Sequence, residues 1–415
     1  MKQICKKYKD LRLLVVLSSL LVLLPVQGQE LQDYLRMVAA NNEGLQAVRM
    51  EYEAALQDVL QARGIPDPNL SISAFGKMED ARITLMQPIP WLGILDAREK
   101  EADFLARAGY QNYRIRMNQL FLTVSQRYFE LYSLEEKIRF EADNKHIIRE
   151  LKEAALARVR SGQGSLAQVL QVDQLLNQSE SNRRILNLEK ETLLHRFNSI
   201  IGRDPDAEVI LPDSLAVDVL PLVSMGELDQ NPQLAQVEHL MAAAQESKEV
   251  VHKSGLPQLG VGLDLMINQR MMMEERGDHV LMPMLSISLP IFRKKYRAAE
   301  EKSRLQYEGY RFEREQLNRD LQADLQEAIN QAEIVLERIA LYEKQAESSR
   351  QILELLLSSY RNPHSGGSDL SGILDVREKL LGYQLQTAQA RSQYLEQMAQ
   401  ITFLTGKFLS DESEK

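Results

Sequence analysis

The chain has 415 residues and a formal net charge of −9, with 44% hydrophobic and 26% charged residues. Its single cysteine excludes a disulfide framework and a cysteine-based zinc site. The negative charge argues against a nucleic-acid-binding protein, which normally carries a basic face.

Residues 1–28 have the features of a secretory signal peptide. Five cations precede an apolar segment over 13–24, which is too short for a comfortable membrane span. Small residues at Val26 and Gly28 predict cleavage before Gln29, with an uncleaved N-terminal anchor as the alternative. Cys5 precedes the apolar segment, so it is not placed as the lipidated first residue of a mature lipoprotein.

The remainder of the chain reads as a tandem repeat. Short motifs recur in the same order in both halves, such as Asn42 and Asn231, or Ile201-Gly202 and Thr405-Gly406. Repeats with a consistent order predict two related halves of one structure. The predicted organisation is a first repeat over 29–202, a linker over 203–224, a second repeat over 225–406 and a polar tail over 407–415.

Each repeat is predicted to be mostly helical. Two stretches lack proline, between Trp91 and Asp204 and between Ile291 and Asn362, and proline is strongly disfavoured inside helices. Apolar residues such as Leu321, Leu325 and Ala328 recur every three or four positions, which is typical of packed, coiled-coil-like helices. Helices are predicted over 31–63, 94–160 and 166–200, and over 225–253, 293–360 and 370–404.

A β-hairpin is predicted in each repeat, over 69–89 and over 258–291. Polar and apolar residues alternate there around turn residues. Such alternation also fits transmembrane barrel strands. Four strands cannot close a barrel, so an oligomer must supply the rest, and three copies would give twelve strands. A small soluble β-cap on a helical protein is the alternative. The fold class is therefore mostly α with a small β part.

These elements together resemble the TolC-like outer membrane efflux factors. The most specific resemblance is at the turn between the long helices, in residues 158–162 and 165–171. The resemblance implies a trimer that forms a 12-stranded barrel in the outer membrane and an α-helical barrel crossing the periplasm. It also implies two partners, a periplasmic adaptor and an inner-membrane transporter. Segments 87–93 and 282–296 resemble members paired with heavy-metal exporters.

The resemblance also implies functional residues at the turns between the long helices. Asp375 matches an aspartate of the family's periplasmic entrance, and Asp369 is a second candidate because Gly372 replaces a neighbouring family aspartate. Rings of carboxylates favour cations, although either aspartate suits a helix N-terminus equally well. The candidates for adaptor docking, each with a core-packing alternative, are Ser161, Gly162, Gly164, Ser165, Leu166, Val169, Gly366, Gly367, Leu370 and Ile373.

No catalytic, cofactor or metal site is predicted. Methionines cluster over 266–284, and thioethers suit Cu(I), but methionine is also a common apolar filler. The predicted function is an outer membrane exit duct of a tripartite efflux system, of the resistance-nodulation-division type, that exports drugs or heavy metals. The alternatives are a type I secretion duct and, in another class, a periplasmic coiled-coil scaffold without a pore.

Overall fold

The computed structural model describes residues 29–75, 80–212, 214–217, 224–268, 280–361 and 369–409. The predicted signal peptide and the candidates Gly366 and Gly367 lie outside the described residues. The first repeat contains α1 (Gln29–Asn41), α2 (Glu43–Ala62), β1 (Asn69–Phe75), β2 (Asp80–Ile89), α3 (Ile94–Arg160) and α4 (Leu166–Ile201). The second contains a 3-10 helix (Met225–Gln230), α5 (Pro232–Ser254), β3 (Gln258–Asn268), β4 (Val280–Ser288), α6 (Arg293–Arg361), α7 (Leu370–Leu404) and a 3-10 turn (Lys407–Leu409).

The first helix of each repeat differs from its prediction. The helix predicted over 31–63 is interrupted at Asn42, whose Nδ2 donates to the carbonyl oxygen of Ile200 at 2.9 Å. At the matching place in the second repeat, Asn231 caps α5 by accepting a hydrogen bond from the Gln233 amide at 2.9 Å. A short polar side chain that bonds outside its own helix favours a helix boundary, and the apolar periodicity alone does not reveal it.

The chain divides into two compact units. Among the described residues, unit 1 comprises those up to Glu43 together with those of Asn118–Ser224 and Asp324–Leu404. Unit 2 comprises the described residues of Gly44–Met117 and Met225–Ala323 together with those from Thr405 onward. Two of the boundaries between the units, at 117/118 and 323/324, therefore fall inside the long helices α3 and α6.

Unit 1 is held together by apolar side chains from four helices. One cluster joins Leu151 on α3, Val172 on α4, Leu353 on α6 and Ile373 on α7, all buried. A second cluster joins Val335 and Ile339 on α6 with Tyr394 on α7, which confirms much of the predicted apolar seam. Burying each such aliphatic side chain contributes about 1.5–3 kcal/mol.

Described residues of the linker form hydrogen bonds to helices of unit 1. The amide of Ile210 donates to the hydroxyl of Tyr34 at 2.9 Å, and the amide of Leu215 donates to Tyr132 at 3.1 Å. The ring of Tyr34 packs edge-on against Phe197 at 5.3 Å between centroids.

Unit 2 contains a four-stranded antiparallel sheet in the order β1-β2-β3-β4. Each predicted hairpin forms, and the two are joined by the pairing of β2 with β3, with Thr84 opposite Asp264. The sheet is thus shared between the two repeats. None of the helices in the described ranges is both long and apolar enough to cross a membrane.

Each repeat ends on a glycine that packs against the start of the same repeat. Gly202 has φ 77° and a Cβ there would lie 3.3 Å from Asn41, while Gly406 has φ 70° and a Cβ there would lie 2.9 Å from the carbonyl oxygen of Gln230. The tail predicted from 407 begins instead with a 3-10 turn, in which Lys407 pairs with Glu227 at 2.7 Å.

Candidate functional site

The sheet in unit 2 has one apolar face and one polar face. Because side chains alternate along a strand, the register places all members of each set on one face. The side chains on one of the two faces are all apolar except Gln87, and they come from all four strands. Among them, Ile72 and Leu285 are exposed by 70% and 69%. This apolar face is formed by Leu70, Ile72, Ala74, Ala81, Ile83, Leu85, Gln87, Ile89, Leu259, Val261, Leu263, Leu265, Ile267, Leu281, Pro283, Leu285 and Ile287.

The polar face carries an ion pair, with a buried carboxylate and a partly exposed guanidinium, that joins the two repeats. Asp264 on β3 is fully buried, and its carboxylate accepts hydrogen bonds from Arg82 Nε at 2.6 Å and from Thr84 Oγ1 at 2.9 Å, both on β2. Three of the clustered methionines, Met266, Met282 and Met284, lie on this polar face by register. A buried carboxylate is retained only when it is paired and hydrogen-bonded, as this one is.

A face of apolar side chains this broad, exposed beside a polar face, is unusual for a protein surface in water. The strands have 7 to 11 residues, close to the length of transmembrane barrel strands. Sequence reasoning predicted the alternation but missed the Arg82–Asp264 pair. The available signal was Asp264, the one carboxylate between apolar neighbours on β3.

The first turn between long helices is defined by local hydrogen bonds, and we call this turn together with the first residues of α4 turn 1 (161–170). The carbonyl oxygen of Arg158 accepts from the amides of Gln163 and Gly164 at 2.9 and 3.1 Å. Ser165 caps α4 in a capping box with Gln168, its Oγ accepting from the Ala167 amide at 3.0 Å.

The first turn of α4 places two leucines on the surface. Leu166 and Leu170 are exposed by 65% and 60% and lie one helical turn apart, whereas Val169 between them is buried in unit 1. Of the predicted docking residues at turn 1, Ser161, Gly162, Ser165 and Leu166 are exposed and Gly164 is partly buried. Leu170 adds to this surface, although the sequence analysis did not select it.

The second such turn precedes α7, which begins at Leu370. Asp369 accepts hydrogen bonds from the amide of Ser371 at 3.4 Å and from its hydroxyl, and these bonds hold the pKa of the Asp369 carboxyl below its ordinary value. Asp375 is exposed and pairs with Lys379 at 2.8 Å. Leu370 and Ile373 are 1% and 0% exposed and belong to the unit 1 core. The two candidate aspartates are therefore on the surface, whereas the two apolar docking candidates are not.

The ends of α3 and α6 are tied together beside these turns. The guanidinium of Arg158 lies 4.6 Å from the centroid of the Tyr360 ring and donates to the Tyr360 carbonyl oxygen at 3.3 Å. Arg361 pairs with Glu150 across the same two helices. Burial raises the pKa of the Tyr360 hydroxyl.

A buried polar layer crosses three helices of unit 1. The Glu141 carboxylate accepts from Ser179 at 3.0 Å and from Asn144 and Asn182 at 3.2 Å. Arg377 donates to Asn144 Oδ1 at 2.8 Å, and burial lowers the pKa of this arginine. A polar layer within an apolar core fixes the register between helices.

The comparisons with known proteins agree with this architecture. The family model described as outer membrane efflux protein matches residues 225–407, the second predicted repeat. The outer-membrane channel OprN is 18% identical, with a TM-score of 0.77 over 91% of this chain and 90% of that chain. VceC of Vibrio cholerae is 13% identical, with a TM-score of 0.76 over 91% and 96%. CusC is 13% identical, with a TM-score of 0.77 over 92% of both chains. A comparison with curated protein sequences found no match.

Proposed function

We propose that the protein is the exit duct of a tripartite efflux system, because the outer membrane efflux protein model matches its second repeat and the whole chain has the fold of solved outer-membrane channels. The observation that carries the proposal is the apolar face of the four-stranded sheet. In a lipid bilayer this face meets hydrocarbon, and the polar face, where Arg82 is partly exposed, lines water.

Three copies of the chain close one barrel of twelve strands. A single sheet of four strands leaves the edges of β1 and β4 unpaired, and unpaired edges are not tolerated in hydrocarbon. Pairing β4 of one copy with β1 of the next satisfies both edges. The smallest barrels in membranes have eight strands, so one copy is too few. Three copies give the twelve strands that the resemblance to the TolC-like efflux factors implies.

The duct is passive and depends on partners. An inner-membrane transporter supplies the driving force, and a periplasmic adaptor docks at turn 1 through Leu166 and Leu170. Exposed leucines one helical turn apart match the spacing by which helices recognise a partner helix. The heavy-metal assignment rests on the resemblance of segments 87–93 and 282–296, and transport assays with metal salts and drugs in a strain lacking the gene would test it.

Outer membrane extraction followed by mass measurement and planar-bilayer recording tests the duct. We expect a trimer from the outer membrane that gives discrete single-channel currents. A soluble monomer in the periplasm would contradict the proposal and support the coiled-coil scaffold.

A matched pair of variants tests the assignment of the sheet faces. Leu285→Arg places a charge on the apolar face, at a cost of about 2–4 kcal/mol near the bilayer centre, and should prevent membrane insertion. Ser286→Arg places the same charge one residue later, on the polar face, and should insert normally while reducing cation conductance. Equal insertion of the two variants would contradict the assignment.

A further inference from the structure

A cluster of four cations begins helix α6. Arg293, Lys294, Lys295 and Arg297 are all exposed, and the chain contains no acidic residue between Asp278 and Glu300. We call these four residues the basic turn. It is an unusual feature in a chain whose net charge is −9.

The basic turn lacks internal charge compensation in the described part of the chain. Glu300, the next acid along α6, lies 3.2 Å from His252 Nδ1, and no described carboxylate forms an ion pair with Lys294, Lys295 or Arg297. Cations in the first turn of a helix also face the positive end of the helix dipole. The matching helix of the first repeat, α3, carries Asp96 in its first turn instead.

Large apolar side chains border the basic turn. Phe292 is 80% exposed and Leu92 is 89% exposed, values typical of side chains without a protein partner in the chain itself. Hydrogen bonds bring the two sheet-to-helix junctions to the end of α5, because Lys253 Nζ donates to Gly93 O at 3.1 Å and Arg293 donates to Gly255 O at 3.0 Å. These exposed side chains, which we call the apolar rim, are Trp91, Leu92, Leu289, Ile291 and Phe292.

The apolar rim follows the apolar face of the sheet along the chain. Ile287 on β4 lies on that face, and Leu289 and Ile291 come within the next four residues, in the segment between β4 and α6. Along the chain, the apolar face of the sheet is therefore followed by the aromatic and aliphatic side chains of the apolar rim, and these are followed by the cations of the basic turn. Aromatic residues favour the interfacial level of a bilayer, and lysine and arginine side chains reach the phosphates beyond it.

We propose that the basic turn and the apolar rim form a binding surface for anionic phospholipid headgroups in the periplasm-facing leaflet of the outer membrane. This inference rests on the proposed function in one respect, which is that the apolar face of the sheet lies in the outer membrane. Headgroup phosphates supply the negative charge that the basic turn lacks, and the acyl chains cover the rim. An acidic protein would pair with the cations but would leave Phe292 and Leu92 in water, so a lipid accounts for more of the surface.

The test compares lipid retention by the full-length protein in detergent. The protein is incubated with an equal mixture of phosphatidylglycerol and phosphatidylcholine, and retained lipid is counted by native mass spectrometry. The variant is K294Q/K295Q/R297Q, which keeps Arg293 because that side chain bonds to Gly255. The matched control R183Q/R184Q/K344Q removes three exposed cations from unit 1.

We expect the wild-type protein and the control to prefer phosphatidylglycerol and the variant to lose this preference by about tenfold or more. The double variant K294R/K295R, which keeps the charge, should retain it. An unchanged preference in K294Q/K295Q/R297Q, or an equal loss in the control, would overturn the proposal. A wild-type protein without lipid preference whose basic turn instead crosslinks to an acidic envelope protein would also overturn it.

The lipid experiment and the duct experiment fail independently. Lipid retention in detergent requires no pore, so a protein that prefers phosphatidylglycerol but gives no single-channel current would contradict the duct and leave the lipid surface standing. A conducting trimer without lipid preference would support the duct and contradict the lipid surface.

Discussion

The two turns between long helices have related sequences but different surroundings. Leu166 and Leu370 occupy matching positions in the two repeats, yet Leu166 is on the surface and Leu370 is buried in the unit 1 core. Val169 and Ile373, also matched, are both buried. The comparison shows that the repeat preserves the apolar pattern while the packing of each helix decides which apolar residue remains available to a partner.

Removing the buried leucine should have the largest effect. Leu370→Ala deletes a side chain packed among Ile148, Leu151 and Tyr360 and should lower the free energy of unfolding by about 2–5 kcal/mol. Leu166→Ala, the matched control, should change it by less than about 0.5 kcal/mol. Denaturant titration of the detergent-solubilised protein measures both, and similar losses would show that the two leucines share one environment.

For adaptor binding, we expect the exposed leucines of turn 1 to matter more than the buried Leu370. Leu166→Asp combined with Leu170→Asp should weaken adaptor affinity by roughly 10-fold or more while leaving the unfolding midpoint near that of the wild type, because exposed leucines contribute through contact with a partner. Surface plasmon resonance with a purified periplasmic adaptor protein measures the affinity. As control, Ile185→Asp alters another exposed aliphatic residue of α4 away from the turn, and it should bind normally. Normal binding by the double variant would exclude turn 1 as the docking surface.

The different burial of the leucines at the two turns could not be predicted from the sequence. Helix α3 and helix α7 could be predicted to the residue because proline, glycine and apolar periodicity mark their ends. Leu166 and Leu370 have the same kind of local pattern, and only the packing of α4 and α7 against other helices separates them. The Arg82–Asp264 pair depends on the register of β2 against β3, two strands far apart in sequence, and no local rule predicts that register.

The glycines that end the repeats offer a second comparison. Gly406→Ala should destabilise the protein more than Gly202→Ala, because the added Cβ would lie 2.9 Å from a carbonyl oxygen in the first case and no closer than 3.3 Å to Asn41 in the second. Both variants also place alanine at positive φ, which costs about 1–2 kcal/mol. Thermal unfolding of the two variants side by side measures the difference. Equal shifts would indicate that the backbone near Gln230 moves aside.

Acid should affect the two turns differently, and this is the smallest effect we expect. The pKa of Asp369 is lowered by hydrogen bonds from Ser371, so the folded state favours the charged carboxylate. The stabilisation it provides is present above the pKa of an unfolded aspartate and is lost as the pH falls through the lower folded value. Ser165, which caps α4, does not titrate in this range. Hydrogen exchange of the first-turn amides of α7 should therefore accelerate relative to those of α4 as the pH falls, after correction for intrinsic rates. Asp369→Ser should remove this pH dependence, and a pH dependence that persists in that variant would place its origin at another group.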